Sequence, residues 1–204
     1  MKCKSSLRRE VLGRRSALPA HEIQRLSSLA GSRLLELPEL IQARTVMFFV
    51  SFGSEIETLP ILERALAAGK RVVAPRSDVA RRGLVPCEVR DPARDLSPGA
   101  HGILEPRPTC PVVAPEEIDV VIVPAAVWAQ DGHRIGYGAG YYDRFLARAT
   151  NAVRVGLGFE LQVVPDVPRA AHDLPVDVLV TDAAVRRFAK RPDAATGSAA
   201  PVDE

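Results

Sequence analysis

The chain has 204 residues, 27 lysines and arginines against 25 acids for a formal net charge of +2, and 47% hydrophobic residues. That balance fits one compact folded domain and supplies no overall field for a nucleic acid or a membrane surface. No run approaches the roughly 20 apolar residues that cross a bilayer, and the basic start MKCKSSLRREVLGRR lacks the apolar centre of a secretion signal. Cys3, Cys87 and Cys110 are scattered, without the spacing of a disulfide framework or a zinc knuckle, so the expectation is a reduced protein in the cytoplasm.

In chain order, Leu7, Val11, Leu12 and Leu18 stand among Lys4, Arg8, Arg9, Arg14 and Arg15, which predicts one apolar stripe on a basic helix ended by Pro19. Ile23, Leu26, Ala30, Leu34 and Leu37 repeat the spacing over a second helix, 21–37, stopped by Pro38. Both helices are expected to pack on a central sheet. Its first strand is read at 45–51, TVMFFVS, a β-branched and aromatic run suited to burial on both faces. A helix over 59–68 follows, then strands over 71–75, 84–89, 119–125, 154–159 and 177–182. Short strands alternating with helices predict an α/β fold, a three-layer α/β/α sandwich whose central sheet is mixed but mostly parallel. Residues 90–115, rich in Pro, Gly and Asp, read as a long surface excursion, and 189–204 as a disordered tail behind a single domain of residues 1–188.

The densest local signal is IGYGAGYYDRFLARA at 135–149, one short connection after the apolar strand at 119–125. Alternating Gly136, Gly138 and Gly140 let the backbone approach a ligand and aim successive N–H groups at it, and the following helix start adds unpaired donors. The spacing matches neither a P-loop nor the dinucleotide fingerprint, so a phosphate cradle and a glycine-rich turn chosen for geometry both remain open. Asp143 beside a phosphate cradle calls for an intervening cation such as magnesium; alternatively it is an acid stabilised by the helix dipole. Of the adjacent Tyr141 and Tyr142, one is expected in the core and one at a cleft.

Read with its neighbours, IGYGAGYYDRFL resembles the signature of the 5-formyltetrahydrofolate cyclo-ligase family. KSSLR at 4–8, FFVSFGSEIET at 48–58, GKRVVAP at 69–75, GILEP at 102–106, DVVIVP at 119–124 and HDLPVDVLVTD at 172–182 follow the family's order and spacing. The likeness runs to about Arg187. The chain departs from the family at PAAVWAQDG, where Trp128 stands near a phenylalanine position, and at Ala139, where many bacterial members have glycine.

The resemblance implies ATP-dependent cyclisation of 5-formyltetrahydrofolate to 5,10-methenyltetrahydrofolate with release of ADP and phosphate. It implies a nucleotide site made of Lys4, Ser5, Ser6, Leu7 and Arg8 with Arg134, Ile135, Gly136, Tyr137, Gly138, Ala139, Gly140, Tyr141 and Tyr142. Lys4 and Arg8 lie one helical turn apart, a point charge and a fork for a polyphosphate; without the resemblance they read as a solvated basic face. Val50 and Glu55, with Tyr137 and Tyr141, are implied at the folate, the Glu55 carboxylate suiting pterin N–H donors; the plainer reading of Glu55 is a surface acid. Asp143 and Asp173 are implied to hold Mg2+, although Asp173 also reads as a turn residue before Pro175. His101 and His172 are candidate pocket residues with nothing to separate them from surface histidines, and GILEP suggests contact with substrate. The implied partners are the two small-molecule substrates, with neither nucleic acid nor membrane, and the chain is expected to be a monomer. Competing readings are a folate- or nucleotide-binding paralogue without turnover, a nucleic-acid arm in the first helix, and a sugar-phosphate isomerase on the same layered fold.

Overall fold

The computed structural model describes residues 3–99, 102–170 and 173–188. The expected tail at 189–204, His101 and His172 lie outside them. In order the chain forms α1 (Lys4–Ser16), α2 (Ala20–Leu35), α3 (Pro38–Gln42), β1 (Thr45–Met47), α4 (Leu59–Ala67), β2 (Arg71–Asp78), β3 (Gly83–Val89), α5 (Pro92–Asp95), β4 (Leu96–Pro98), β5 (Leu104–Pro106), β6 (Val120–Val123), β7 (Val127–Ala129), β8 (Arg134–Ile135), α6 (Tyr141–Leu146), β9 (Val153–Leu157), β10 (Val163–Val164), β11 (Val178–Val180) and β12 (Val185–Arg187).

Among the described residues the central sheet has seven strands in the order β12-β11-β9-β6-β1-β2-β3. The inner strands β11, β9, β6, β1 and β2 are parallel, and the edge strands β12 and β3 are antiparallel to their neighbours. The period-2 alternation of a strand sorts its side chains between two apolar layers. Val46, Val72, Val120, Ile122, Val155, Leu157, Val178 and Val180 face the cluster built by α2, α3 and α4. Met47, Val73, Val121, Val123 and Leu179 face the other side, with Phe145 and Leu146 of α6 and the buried Trp128. Each such side chain contributes about 1.5–3 kcal/mol of transfer free energy when fully buried, so the sheet is fixed from both sides.

Four expectations are corrected. The first helix does not pack on the central sheet: Leu7, Val11 and Leu12 join Val127, Ala129, Ile135 and Val167 around a second sheet, β10-β7-β8. Its strands have two or three residues, too few for a periodicity to register. The run at 45–51 pairs over Thr45–Met47, with Phe48 N–H donating to Val73 O at 2.8 Å, and then leaves the sheet. Pro38 begins α3 as well as following α2, since a first-turn residue has no intrahelical acceptor for the N–H that proline lacks. Residues 90–115 are not a bare excursion. Asp91 caps α5 by accepting from Ala93 N–H, and β4 and β5 form a hairpin.

The three cysteines are free. Among the described residues no helix is long and apolar enough to cross a membrane.

Candidate functional site

From β1 the chain builds outward to β2, whereas β6, β9 and β11 lie on the opposite side of β1. Loops leaving the carboxyl ends of strands diverge at such a reversal and open a crevice. Here the crevice is about 590 Å³ and is walled by the exits of β1 (Phe49, Val50, Phe52, Glu55), β2 (Pro75, Ser77) and β6 (Pro124), by the β4–β5 hairpin, by Lys4 and Arg8, by residues 134–143 and by Asp173. That volume suits a small-molecule site. A second groove, of about 470 Å³, lies between α3 and α4 and gathers no acid, histidine or thiol.

One end of the cleft is the glycine loop. Gly138 (φ +109°) and Gly140 (φ +66°) lie in the region that disfavours side chains, while a Cβ at Gly136 would meet nothing within 4 Å. Two glycines thus shape the loop and the third leaves its backbone open. Lys4 and Arg8 are not a solvated face: Lys4 Nζ donates to Asp173 Oδ2 at 2.5 Å and Arg8 Nε to Gly136 O at 2.8 Å. Ser5, Ser6 and Leu7 are not brought into the cleft; Leu7 packs on the small sheet.

Arg134 is buried beneath the loop, donating from Nη2 to Asp143 Oδ1 at 2.7 Å and from Nη1 to Leu174 O. Burial pushes its guanidinium pKa down, against the opposing charges of Asp143 and Asp173. Asp143 and Asp173, far apart in sequence, therefore line one cleft and flank one guanidinium. Among the described residues no group of three or more His, Cys, Asp or Glu gathers as a cation site. Asp143 and Asp173 both line the cleft, and carboxylate oxygens are the donors that magnesium takes.

The expectation of one core and one cleft tyrosine is corrected. In the short α6 both Tyr141 and Tyr142 line the cleft and both pack against the apolar layers. The Tyr142 hydroxyl is buried without a hydrogen-bond partner among the described residues, and burial raises its pKa.

The other end is built from the loop that leaves β1. Ser51 N–H donates to Thr58 Oγ1 at 3.0 Å and Thr58 N–H to Ser51 Oγ at 3.1 Å, closing the loop around Glu55. Glu55 is no surface acid: it is 5% exposed, accepts from Phe52 N–H at 3.2 Å and from the Tyr137 hydroxyl, and lies 4.0 Å from Arg15 Nη1. Burial pushes its carboxyl above the usual range, opposed by the Tyr137 hydrogen bond, the Arg15 charge and the Phe52 amide. Val50 lines the cleft beside it. Phe52 and Tyr137 stand at the mouth, ring centroids 5.4 Å apart and tilted by 50°.

Arg15 was missed as a functional candidate. Counting i, i+4, i+7 and i+11 from Lys4 places Lys4, Arg8, Val11 and Arg15 on one helix face, which is the signal that separates Arg15 from its exposed neighbour Arg14. Glu105, within GILEP, lines the cleft with Leu104 and accepts from Ser77 Oγ at 2.6 Å. Of the two departures from the family pattern, Trp128 is fully buried against Gly156 and Gly158 rather than in the cleft, and Ala139 lines it.

A family model described as the 5-formyltetrahydrofolate cyclo-ligase family matches residues 1–182. The 5-formyltetrahydrofolate cyclo-ligase of Escherichia coli K12 is 31% identical over 175 residues, covering 84% of this chain and 96% of that one. That of Mycolicibacterium smegmatis is 31% identical over 182 residues, covering 87% and 93%. Among solved structures, Aquifex aeolicus 5,10-methenyltetrahydrofolate synthetase matches with a TM-score of 0.82 and 34% identity, covering 95% of this chain and 98% of that one. A Mycoplasma pneumoniae synthetase of 21% identity shares the fold with a TM-score of 0.72, covering 88% and 98%.

Proposed function

The chain belongs to the 5-formyltetrahydrofolate cyclo-ligase family, and from that premise we propose that it uses ATP to close 5-formyltetrahydrofolate to 5,10-methenyltetrahydrofolate, releasing ADP and phosphate. It is a ligase of folate metabolism. The observation that carries the ATP-dependent reading is the pairing, in one cleft, of a glycine loop flanked by Lys4, Arg8 and Arg134 with a buried acid, Glu55, that the loop's own Tyr137 reaches.

The chemistry explains why both ends are needed. A formamide oxygen is a poor leaving group. Transfer of the γ-phosphoryl group to it breaks the P–O bond to ADP and forms a bond from phosphorus to the formyl oxygen. N10 then attacks the formyl carbon and loses its proton, and the C–O bond breaks as phosphate departs. The protein's part is alignment and charge neutralisation.

In this reading Lys4 and Arg8, spaced by Ser5, Ser6 and Leu7, meet the polyphosphate with Arg134. The loop residues Ile135, Gly136, Tyr137, Gly138, Ala139 and Gly140 approach it with Tyr141 and Tyr142. Val50 and Glu55, with Tyr137 and Tyr141, receive the pterin. Asp143 and Asp173 hold magnesium that arrives with the nucleotide, and that ion supplies positive charge at the phosphates. Their present partners, Arg134 and Lys4, are then free to turn towards phosphate. The enzyme is assigned to the cytoplasm and acts as a monomer of one domain.

Purified protein mixed with 5-formyltetrahydrofolate and Mg-ATP is expected to develop the absorbance of the methenyl product. No product that depends on ATP would sink the reading.

A further inference from the structure

Arg15 does not touch the cleft. It stands behind the wall that Glu55 and Tyr137 present, 4% exposed, on the face of α1 that also carries Lys4 and Arg8. A buried arginine is costly unless its donors are used, and here they converge on one corner. Nε donates to Ser54 Oγ at 3.2 Å, Nη1 donates to the Tyr137 hydroxyl at 3.0 Å, and the same Nη1 lies 4.0 Å from Glu55 Oε1. The Tyr137 hydroxyl accepts from Arg15 and donates to Glu55 Oε1, so one phenol relays between a fixed cation and a buried carboxylate.

Although Tyr137 is 40% exposed overall, its hydroxyl points inward to this corner while its ring meets Phe52 at the mouth. The ring of Tyr137 forms part of the cleft wall, and its angle is set by the hydroxyl that Arg15 holds. The fork is what makes this possible, since a guanidinium presents separate N–H groups to Ser54 and Tyr137 in one plane.

We infer that Arg15 is a positioning residue for the folate end of the cleft: by holding the Tyr137 phenol and facing Glu55, it fixes the pose of the carboxyl group that receives the pterin. This rests on the placing of folate at Glu55. The groups facing Glu55 are Arg15 from α1, Tyr137 from the glycine loop and Tyr142 from α6. Arg15 is the cation among them, so its loss raises the Glu55 pKa further and protonates the carboxylate at a higher pH.

The experiment compares Arg15→Met, Arg15→Lys, Tyr137→Phe and Glu55→Gln for both substrates across pH, with thermal midpoints alongside. Arg15→Met is expected to raise the folate KM about tenfold, with kcat and the ATP KM within about twofold of the parent. The acid limb of kcat/KM for folate, which reports the free enzyme, is expected to move to higher pH. Arg15→Lys keeps the charge but not the fork, so it restores the limb and leaves the KM raised; should Arg15→Met not fold, this split carries the test. Adding Arg15→Met or Arg15→Lys to Glu55→Gln is expected to change the folate KM by less than about twofold. If Glu55→Gln raises the folate KM while both Arg15 variants keep the parental KM and limb, with a lower thermal midpoint alone, the positioning role is overturned and the placing of folate stands. If Glu55→Gln leaves the folate KM unchanged, that placing falls, and the role of Arg15 with it.

Discussion

The two ends of the cleft are built by opposite means. At the glycine loop the polar groups are backbone atoms and ion pairs with one partly exposed partner each, Lys4 at 36% against Asp173 at 15% and Asp143 at 28% against Arg134 at 4%. At the Glu55 end, Arg15 and Glu55 have side-chain exposures of 5% and 4%, and Tyr137 links them. Each pair keeps one partner within reach of solvent, where an arriving phosphate or cation can compete for it. A buried polar group that loses its partner has no water to replace it, so a change there costs more. One end is made to change partners as a charged ligand arrives, and the other to keep its shape. Arg134 belongs to both, a buried guanidinium whose carboxylate partner lies at the exchangeable end.

The largest effect is expected at the exchangeable end. Asp143→Asn should lower kcat by at least about a hundredfold, as loss of a group that organises transition-state charge does, and the residual rate should respond to magnesium concentration. Normal turnover at saturating magnesium would remove the metal role.

Next comes Glu55→Gln, for which the folate KM should rise about tenfold while the ATP KM stays within about twofold. Steady-state kinetics that moved both constants equally would erase the division between the ends.

Smaller still is Gly136→Ala. A Cβ there meets nothing within 4 Å, so the thermal midpoint should hold while the ATP KM rises about fivefold from the methyl group set against an approaching phosphate. An unchanged ATP KM would reduce the loop to a turn.

The smallest concerns stability. Burial raises the Glu55 pKa, so the folded chain holds that proton more tightly than the unfolded one. The stability this contributes is complete below the unfolded pKa and is lost as pH rises through the folded value. Glu55→Gln removes that loss. As pH rises above the usual carboxylate range the thermal midpoint of the variant should gain on the parent, and a difference that stays constant with pH would show that burial does not strengthen the hold on that proton.

Sequence reached the two ends unequally for a physical reason. The glycine loop is contiguous, and its glycines, Asp143 and the strand before them can be read within one stretch of chain. The parallel sheet was legible too, because Val46, Val72, Val120 and Val155 sit in short apolar runs bounded by turns. The Glu55 corner joins residues 15, 55 and 137, so it exists only after β1 exits the sheet and α1 packs beside the small sheet. Neither event has a local signature: β7, β8 and β10 are too short to show a period, and the apolar run at 45–51 gives no sign of where pairing stops. Arg15 was readable as a helix-face position but not as a buried one. The folate role of Glu55 came from resemblance; its enclosure came from the fold.

The claim that joins the two ends is that they bring the formyl oxygen to the γ-phosphorus. Turnover of 5-formyltetrahydrofolate carrying ¹⁸O in the formyl group, with unlabelled Mg-ATP, tests it directly by mass analysis of the released phosphate. The label is predicted in phosphate, one atom for each methenyl product formed; label released to water, with unlabelled phosphate, would contradict it.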